Sequence, residues 1–254
     1  MTTPQGGVRL AGIAGILGAI CWTIGDMLIV GEQAVPTDYA LLMVHYADQI
    51  DFGGLAYMLP ASEARLAWGA LIAALTIPLY LAGSWHLYQA ARPAGRAVSW
   101  AIFTLLVCGN AYSPLAHASF YFVGMVYKTI LVVPTAAHAP LLALGRDFTR
   151  VLHISYIAAV AGLVLGLGLL ALMTALGRTA HPRWVALVVN PVSLLLIGHL
   201  TPYLTPQPLR TWLGGAAINI GWLVAYGITT TCAWRTPAGH TKRTLAPRRR
   251  RTWA

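Results

Sequence analysis

Six long runs of this chain contain no Asp, Glu, Lys or Arg, and this absence of charge limits the possible fold more than any other feature of the sequence. The runs cover residues 10–25, 66–91, 97–127, 151–177, 184–209 and 211–234. About 20 consecutive apolar residues cross the hydrocarbon core of a bilayer as a helix. The sequence therefore predicts an all-α membrane protein, a bundle of about six transmembrane helices.

The composition excludes a soluble globular protein. Hydrophobic residues make up 57% of the chain and charged residues 9%, whereas charged residues form about a quarter of a typical soluble domain. The apolar runs and their short connections predict one polytopic transmembrane domain over residues 1–236, in a multi-pass protein of the cell membrane. Residues 237–254 form a basic tail, which we expect to be cytoplasmic and disordered.

The net charge of +10 is divided unequally between the two sides of the predicted bundle. The N-terminus, the connections at 92–96 and 178–183 and the C-terminal tail together hold most of the 17 basic residues. Because basic loops remain in the cytoplasm, both termini are predicted to be cytoplasmic. The positive charge is thus a signal of topology and not of nucleic-acid binding, and the run Arg248–Arg251 is expected to contact anionic lipids.

Two connections are longer than a simple turn, and both are predicted to cover the outer mouth of the bundle. Residues 32–65 contain a Pro36-Thr37 helix start followed by several apolar residues, which is typical of a short amphipathic helix on the membrane surface. Residues 129–145 are apolar but short, and Pro134 and Pro140 interrupt them. This second segment is predicted to be interfacial or re-entrant.

Polar residues within the runs recur at spacings of three, four and seven, which places them on one face of each helix. Three such sets lie in the outer half or near the mid-depth of the predicted bundle: Trp22 and Asp26; Asn110, Ser113, His117 and Tyr121; Gly215, Asn219, Trp222 and Tyr226. A set on the second span is predicted to run separately towards the inner face: Thr76, Tyr80, Ser84 and Tyr88. Because lipid-facing polar groups are costly, the outer sets should line a polar pocket.

Asp26 is the only acidic residue on a packed face of a predicted span, so it is the centre of the predicted site. The predicted catalytic residues are Asp26, His117 and Tyr121. The predicted substrate-binding residues are Trp22, Asn110, Ser113, Tyr156, Asn190, Asn219 and Trp222. Structural alternatives remain open: Asp26 could be an interfacial carboxylate, and the asparagines could serve interhelical hydrogen bonds.

A metal or haem site is a further alternative, because His117, His153 and His199 are all predicted in the outer half of the bundle. No HxxxH or HxxE motif occurs, however, and the three cysteines form no CxxC pair. The sequence also lacks a nucleotide-binding loop, a nucleophile elbow and a dinucleotide-binding glycine pattern. We therefore predict neither a metal nor a cofactor.

Three classes of function remain: an intramembrane enzyme, a carrier of a small solute or lipid, and an accessory or resistance protein. Burial favours the neutral form of Asp26, which could then act as a general acid. Aromatic walls would stabilise a cationic carbon through cation–π attraction. Carriers usually contain more charges and helix breaks at mid-membrane, so the sequence favours an enzyme that uses acid/base chemistry on a hydrophobic isoprenoid or lipid.

Two resemblances accompany this prediction. In size and character the chain resembles the small integral-membrane terpene cyclases, which use acidic residues in a bundle to protonate an alkene or epoxide. That resemblance implies a biosynthetic reaction of the isomerase or lyase type and assigns no residue a role. Gly25-Asp26, Asn190-Pro191 and Gly215-x-x-x-Asn219 resemble an uncharacterised bacterial family of integral membrane proteins, which implies the fold alone.

Overall fold

The computed structural model describes residues 5–235, and the regular secondary structure of this part of the chain is entirely helical, with no β-strand. The α-helices are α1 (Gln5–Ile29), α2 (Glu63–Ala91), α3 (Arg96–Ile130), α4 (His138–Ala175), α5 (Val185–Val188), α6 (Pro191–Leu200), α7 (Leu209–Gly215) and α8 (Ala217–Arg235). Helix α1 packs between α2 and α8, α3 packs between α2 and α4, and α6 packs on α8. The basic tail at 237–254 lies outside the described residues.

Four helices of the described part are long and apolar enough to cross a membrane: α1, α2 with the short turn that follows it, α3 and α4. A fifth is obtained if α7 and α8, which meet at an angle of 77°, are counted as one bent span. The predicted all-α fold is confirmed, and four or five helices of the described part could span a membrane where six spans were predicted. The run at 184–209 is instead divided into α5, α6 and a 3₁₀ turn at Thr201–Leu204.

The division of that run has a local cause at Asn190 and Pro191. Proline has no N–H to donate within a helix and is favoured at a first helical position. Pro191 begins α6, and the Asn190 side chain caps the new helix by accepting a hydrogen bond from the Ser193 N–H at 3.0 Å. The chain therefore starts a new helix at Pro191, in the middle of a run that the sequence predicts to be one span.

The first long connection differs from its predicted form. Residues 32–62 hold a π-helical turn at Leu41–His45 and 3₁₀ turns at Ala47–Gln49 and Gly53–Tyr57 in place of an amphipathic helix. Residues 129–145 do not form a separate re-entrant segment, because α3 ends at Ile130 and α4 already begins at His138; the interfacial alternative stays a prediction. Pro140 lies in the first turn of α4, where no intrahelical N–H bond is lost.

The two connections pack together over one end of the bundle. The Tyr46 hydroxyl lies 3.0 Å from His138 Nδ1 and joins the first connection to the start of α4. Leu42, Met58 and Leu142 belong to a hydrophobic cluster there that also buries the last turns of α3 and the first turns of α4. This cluster closes the end of the bundle at which α1 ends and α2 begins.

Glycines allow the long helices to approach backbone to backbone. A Cβ on Gly25 of α1 would lie 2.9 Å from the carbonyl oxygen of Gly69 on α2. A Cβ on Gly162 of α4 would lie 2.9 Å from the backbone N of Gly109 on α3. Neither contact leaves room for a side chain, so α1 lies directly against α2 and α3 directly against α4.

The opposite end of the bundle contains the loop between α4 and α5. The Ala180 N–H donates to the Ala90 carbonyl at 2.8 Å, which ties the loop to the end of α2. His181 is buried in this loop, and its Nε2 has no hydrogen-bond partner among residues 5–235. Burial, with a smaller effect of the nearby His86 charge, lowers the pKa of His181 to about 4.

We expect the contribution of His181 to the stability of the folded protein to fall as the pH decreases from 6.5 towards 4. In this window the unfolded chain binds a proton at His181, whose ordinary pKa is 6.5, whereas the folded chain does not, so protonation favours unfolding. Above pH 6.5 His181 is neutral in both states and adds no slope. Thermal unfolding in detergent across this pH range measures the effect.

The matched variants are His181→Gln and His153→Gln. The first removes the buried histidine and should flatten the dependence of the unfolding temperature on pH. The second changes a histidine that is exposed and should keep the wild-type slope. An unchanged slope in His181→Gln would contradict this assignment.

Candidate functional site

A cavity of about 110 Å³ lies inside the bundle, between α1, α2, α3, α4 and the α7–α8 bend. Most of the predicted site residues line it: Trp22, Asp26, Asn110, Ser113, His117, Tyr156, Asn219 and Trp222. Residues from four distant parts of the sequence therefore meet at one place. The cavity walls are otherwise mainly apolar or aromatic.

Asp26 is the only acidic residue that lines the cavity. Its side chain is 17% exposed, and helix α1 presents it one turn after Trp22. The Asn219 side-chain amide donates a hydrogen bond to Asp26 Oδ2 at 2.7 Å. The other carboxyl oxygen, Oδ1, lies 3.4 Å from His117 Nδ1. Each oxygen of the carboxyl group thus faces a different helix, α8 or α3.

The protonation of His117 follows from its second neighbour. His117 Nε2 lies 3.2 Å from the Gly69 carbonyl oxygen, and because a carbonyl can only accept, Nε2 carries a hydrogen. In the neutral ring Nδ1 is then an unprotonated acceptor that faces Asp26. A stable contact between Nδ1 and the carboxyl group requires a proton on one of them. Asp26 and His117 therefore form a pair suited to holding one shared proton.

Tyr80 and Asn219 extend this pair into a chain of polar contacts. The Tyr80 hydroxyl donates to Asn219 Oδ1 at 2.6 Å, and this bond fixes the orientation of the amide that donates to Asp26. The chain runs from Tyr80 through Asn219, Asp26 and His117 to the Gly69 carbonyl. It begins and ends on α2 and passes through α8, α1 and α3.

The prediction that the polar set of α2 is separate from the pocket is wrong. Tyr80 lines the cavity, and Ser84 Oγ accepts a hydrogen bond from the Asn110 side-chain amide at 2.9 Å. Ser84 in turn donates to the Tyr80 carbonyl oxygen at 3.0 Å. The sequence placed these residues correctly on one face of α2 but did not show that this face meets α3 and α8.

Aromatic rings form one wall of the cavity. The Trp22 ring centroid lies 5.1 Å from that of His117 and 5.7 Å from that of Tyr80. Trp222 stacks on Tyr226 with centroids 5.4 Å apart. The buried indole N–H of Trp22 has no hydrogen-bond partner within the described part of the chain. The wall therefore contains a donor that the protein itself does not use.

Two predicted site residues do not reach the cavity. Tyr121 lies one turn beyond His117, where the 32–62 connection packs against α3; it contacts this end cluster and the Phe122 ring at 5.6 Å. Asn190 uses its side chain to cap α6 and to donate to the Ala186 carbonyl at 2.9 Å. The helix break at Pro191 creates this local demand, so Asn190 does not face the cavity.

Phe120 was not predicted, although it lines the cavity and lies between His117 and Tyr156 in space, with centroids 6.3 and 6.4 Å away. The signal was its spacing of three from His117, which places both on one face of α3. The two remaining histidines do not join His117: His153 and His199 are both exposed.

The charge of the cavity is set by Asp26 and His117 alone. No Lys or Arg is among the residues that line it. These two residues are also its only potential metal ligands of the His, Cys, Asp and Glu types, and residues 5–235 contain no group of three or more such residues that could hold a metal ion. The side chains thus provide acid/base and hydrogen-bonding groups.

Comparison with known proteins identifies the family of the chain. The chain belongs to a family of unknown function (DUF6796), whose model matches residues 6–235. No curated protein and no solved structure matches the chain. The family match extends over α1 to α8 and therefore includes every helix that contributes to the cavity.

We expect Tyr80→Phe to destabilise the folded protein by about 1–3 kcal/mol, because it leaves the buried Asn219 Oδ1 without its donor. Unfolding of the detergent-solubilised protein by heat or denaturant measures the change. The matched control is Tyr121→Phe, since the Tyr121 hydroxyl has no hydrogen-bond partner within the described residues. The control should change stability by less than about 0.5 kcal/mol. Equal effects of the two variants would show that the Tyr80–Asn219 bond contributes nothing specific.

Proposed function

We propose that this protein is a membrane-embedded enzyme that uses Asp26 and His117 for acid/base chemistry on a hydrophobic isoprenoid or lipid. The observation that carries the proposal is the pair itself: two groups suited to sharing one proton, side by side in a cavity within apolar helices. A carboxylic acid and an unprotonated imidazole can serve as general acid and general base in one reaction.

The proposed reaction begins with Asp26 in its acid form. The O–H bond of the carboxyl group breaks as a new bond forms to a substrate double bond or epoxide oxygen, and the substrate becomes cationic. The resulting carboxylate retains the hydrogen bond from Asn219, which stabilises its charge. The faces of Trp22 and Trp222 attract the cationic carbon.

His117 completes the proposed cycle. Its Nδ1 removes a proton from a carbon next to the cationic centre, and the electron pair of that C–H bond forms the new double bond. The imidazolium then returns the proton to Asp26 across the 3.4 Å contact. No proton is gained or lost overall, so the reaction is an isomerisation or cyclisation and requires no cofactor. Tyr121, which the sequence predicts to be catalytic, has no role in this cycle. Asn219 orients Asp26 through its hydrogen bond to Oδ2.

We further propose that the chain crosses the cell membrane six times with both termini in the cytoplasm. The six uncharged runs and the concentration of basic residues in alternate connections support this topology. In this arrangement α5 and α6 together form a broken fifth span, and α7 and α8 form a bent sixth. The basic tail then lies at the cytoplasmic surface, where anionic lipids attract it.

Reporter fusions test the topology. Fusions at Gly95, Ala180 and Ala254 should report a cytoplasmic location, and fusions at Gly54 and Ala136 an external one. A cytoplasmic signal at Ala180 with an external signal at Ala254 would mean an odd number of crossings after α4. That result would contradict the six-span topology and favour a chain of five spans.

A carrier that moves its substrate with a proton is the second candidate, and one observation favours it. The break between α7 and α8, bent by 77°, lies beside the cavity, which is lined by Gly215 on one side of the break and Asn219 on the other. Broken helices beside a binding site are typical of secondary transporters. A shared proton on Asp26 and His117 would serve coupling as well as catalysis.

Asp26→Asn is the decisive variant for the enzyme. It preserves the size of the side chain and removes the acid, so we expect turnover to fall by about 100-fold or more with normal folding and membrane yield. Membranes that contain the protein are incubated with linear prenyl alcohols and their epoxides, and cyclised or isomerised products are measured by mass spectrometry. Asp48→Asn, in an exposed part of the 32–62 connection, should retain full activity.

Two outcomes would contradict acid catalysis: conversion of none of the substrates by the wild type, or full activity of Asp26→Asn. The carrier is then tested in proteoliposomes. If it is correct, the wild type should acidify the vesicle interior as substrate enters, and Asp26→Asn should not.

A further inference from the structure

An apolar groove on the side of the bundle adjoins the site cavity. This groove has a volume of about 60 Å³ and lies between α4, α6 and α8. Its walls are almost entirely hydrocarbon: Val160, Leu163, Val164, Leu167, Pro191, Leu194, Leu195, Ile218 and Trp222. Four of these residues also line the site cavity: Val160, Leu163, Ile218 and Trp222. The polar cavity and the groove thus share one wall.

The outer edge of the groove is formed by side chains that are available to lipid. Val164 on α4 is 38% exposed and Leu195 on α6 is 40% exposed. Such exposure on apolar helices of a membrane protein places these residues against hydrocarbon chains. A molecule dissolved in the bilayer could enter the groove from the side with its apolar part and keep that part out of water.

The polar end of this path limits the head group of such a molecule. No Lys or Arg lines the cavity to compensate the charge of an anionic head. Phosphate, diphosphate and carboxylate heads are therefore disfavoured. The acid form of Asp26 is a donor from which an uncharged oxygen can accept a hydrogen bond. The cavity volume of about 110 Å³ restricts the head to a few atoms.

We infer that the site binds a single-chain amphiphile whose small, uncharged oxygen head, a hydroxyl, a carbonyl or an epoxide, lies beside Asp26 and whose apolar chain leaves through the groove between α4 and α6. This inference names the substrate class of the proposed enzyme and rests on that proposal only for the chemistry that follows binding. The ligand enters from the bilayer and not from the aqueous phase. Trp222 belongs to both compartments and lies at the junction of head and chain.

Photo-crosslinking of the purified full-length protein in lipid nanodiscs tests the inference. The probe is hexadecanol with a diazirine in its chain and a terminal alkyne, and the comparison probe is the phosphate monoester of the same chain. The alcohol should label peptides of α4, α6 or α8 that line the groove, in competition with unlabelled hexadecanol. The phosphate should label them only at background level.

A matched pair of variants tests the path of the chain. Leu195→Trp fills the groove from its lipid edge, whereas Leu196→Trp adds the same side chain at a neighbouring exposed position that does not line the groove. We expect about tenfold less labelling of Leu195→Trp, because excluding about two methylene groups from an apolar site costs about that factor in affinity. Leu196→Trp should label like the wild type.

The possible results separate this inference from the proposed function. Equal labelling by the phosphate would overturn the uncharged head, and undiminished labelling of Leu195→Trp would overturn the groove as the path. If the wild type is labelled but shows no turnover, the proposed enzymatic function is wrong and the inferred binding site stands. If Asp26→Asn loses turnover but no protein is labelled in the groove, the inferred binding site is wrong and the proposed enzymatic function stands.

Discussion

The hydrogen bond between Asn219 and the carboxyl group of Asp26 is the interaction on which the interior of this protein depends. A carboxyl group among apolar helices is costly unless its oxygens are paired, because no bulk water is available there. Asn219 provides one partner at 2.7 Å and His117 lies beside the other oxygen at 3.4 Å. Meeting this single requirement fixes the relative positions of α1, α3 and α8.

Close helix packing makes that arrangement possible. The glycines at 25 and 69 bring the backbones of α1 and α2 together, and the Gly69 carbonyl becomes the acceptor for His117 Nε2 at 3.2 Å. A larger residue at either position would separate the two helices. The protonation pattern of the Asp26–His117 pair thus depends on a packing contact between two other residues, so stability and chemistry share the same structural elements.

The interior is divided into a polar part and an apolar part that share Trp222. Polar side chains on α1, α2, α3 and α8 form hydrogen bonds with one another around the cavity. In the adjoining groove, α4 and α6 contribute only hydrocarbon side chains. The helix break at Pro191 is a condition for this division, because it turns Asn190 into a cap and leaves apolar side chains on the face of α6 next to α4. An amphiphilic interior of this kind matches an amphiphilic ligand.

The sequence by itself determined that the chain forms long apolar helices and that Asp26 lies on a packed face of the first of them, because lack of charge and helical spacing are properties of single segments. It also placed Asn110, His117 and Asn219 on the correct faces of their helices. Tertiary structure decided that Tyr80 joins Asn219, that Tyr121 packs under a connection and that Asn190 caps a helix. Helical periodicity fixes where a side chain points on its own helix, whereas the partner it meets depends on how helices distant in sequence cross.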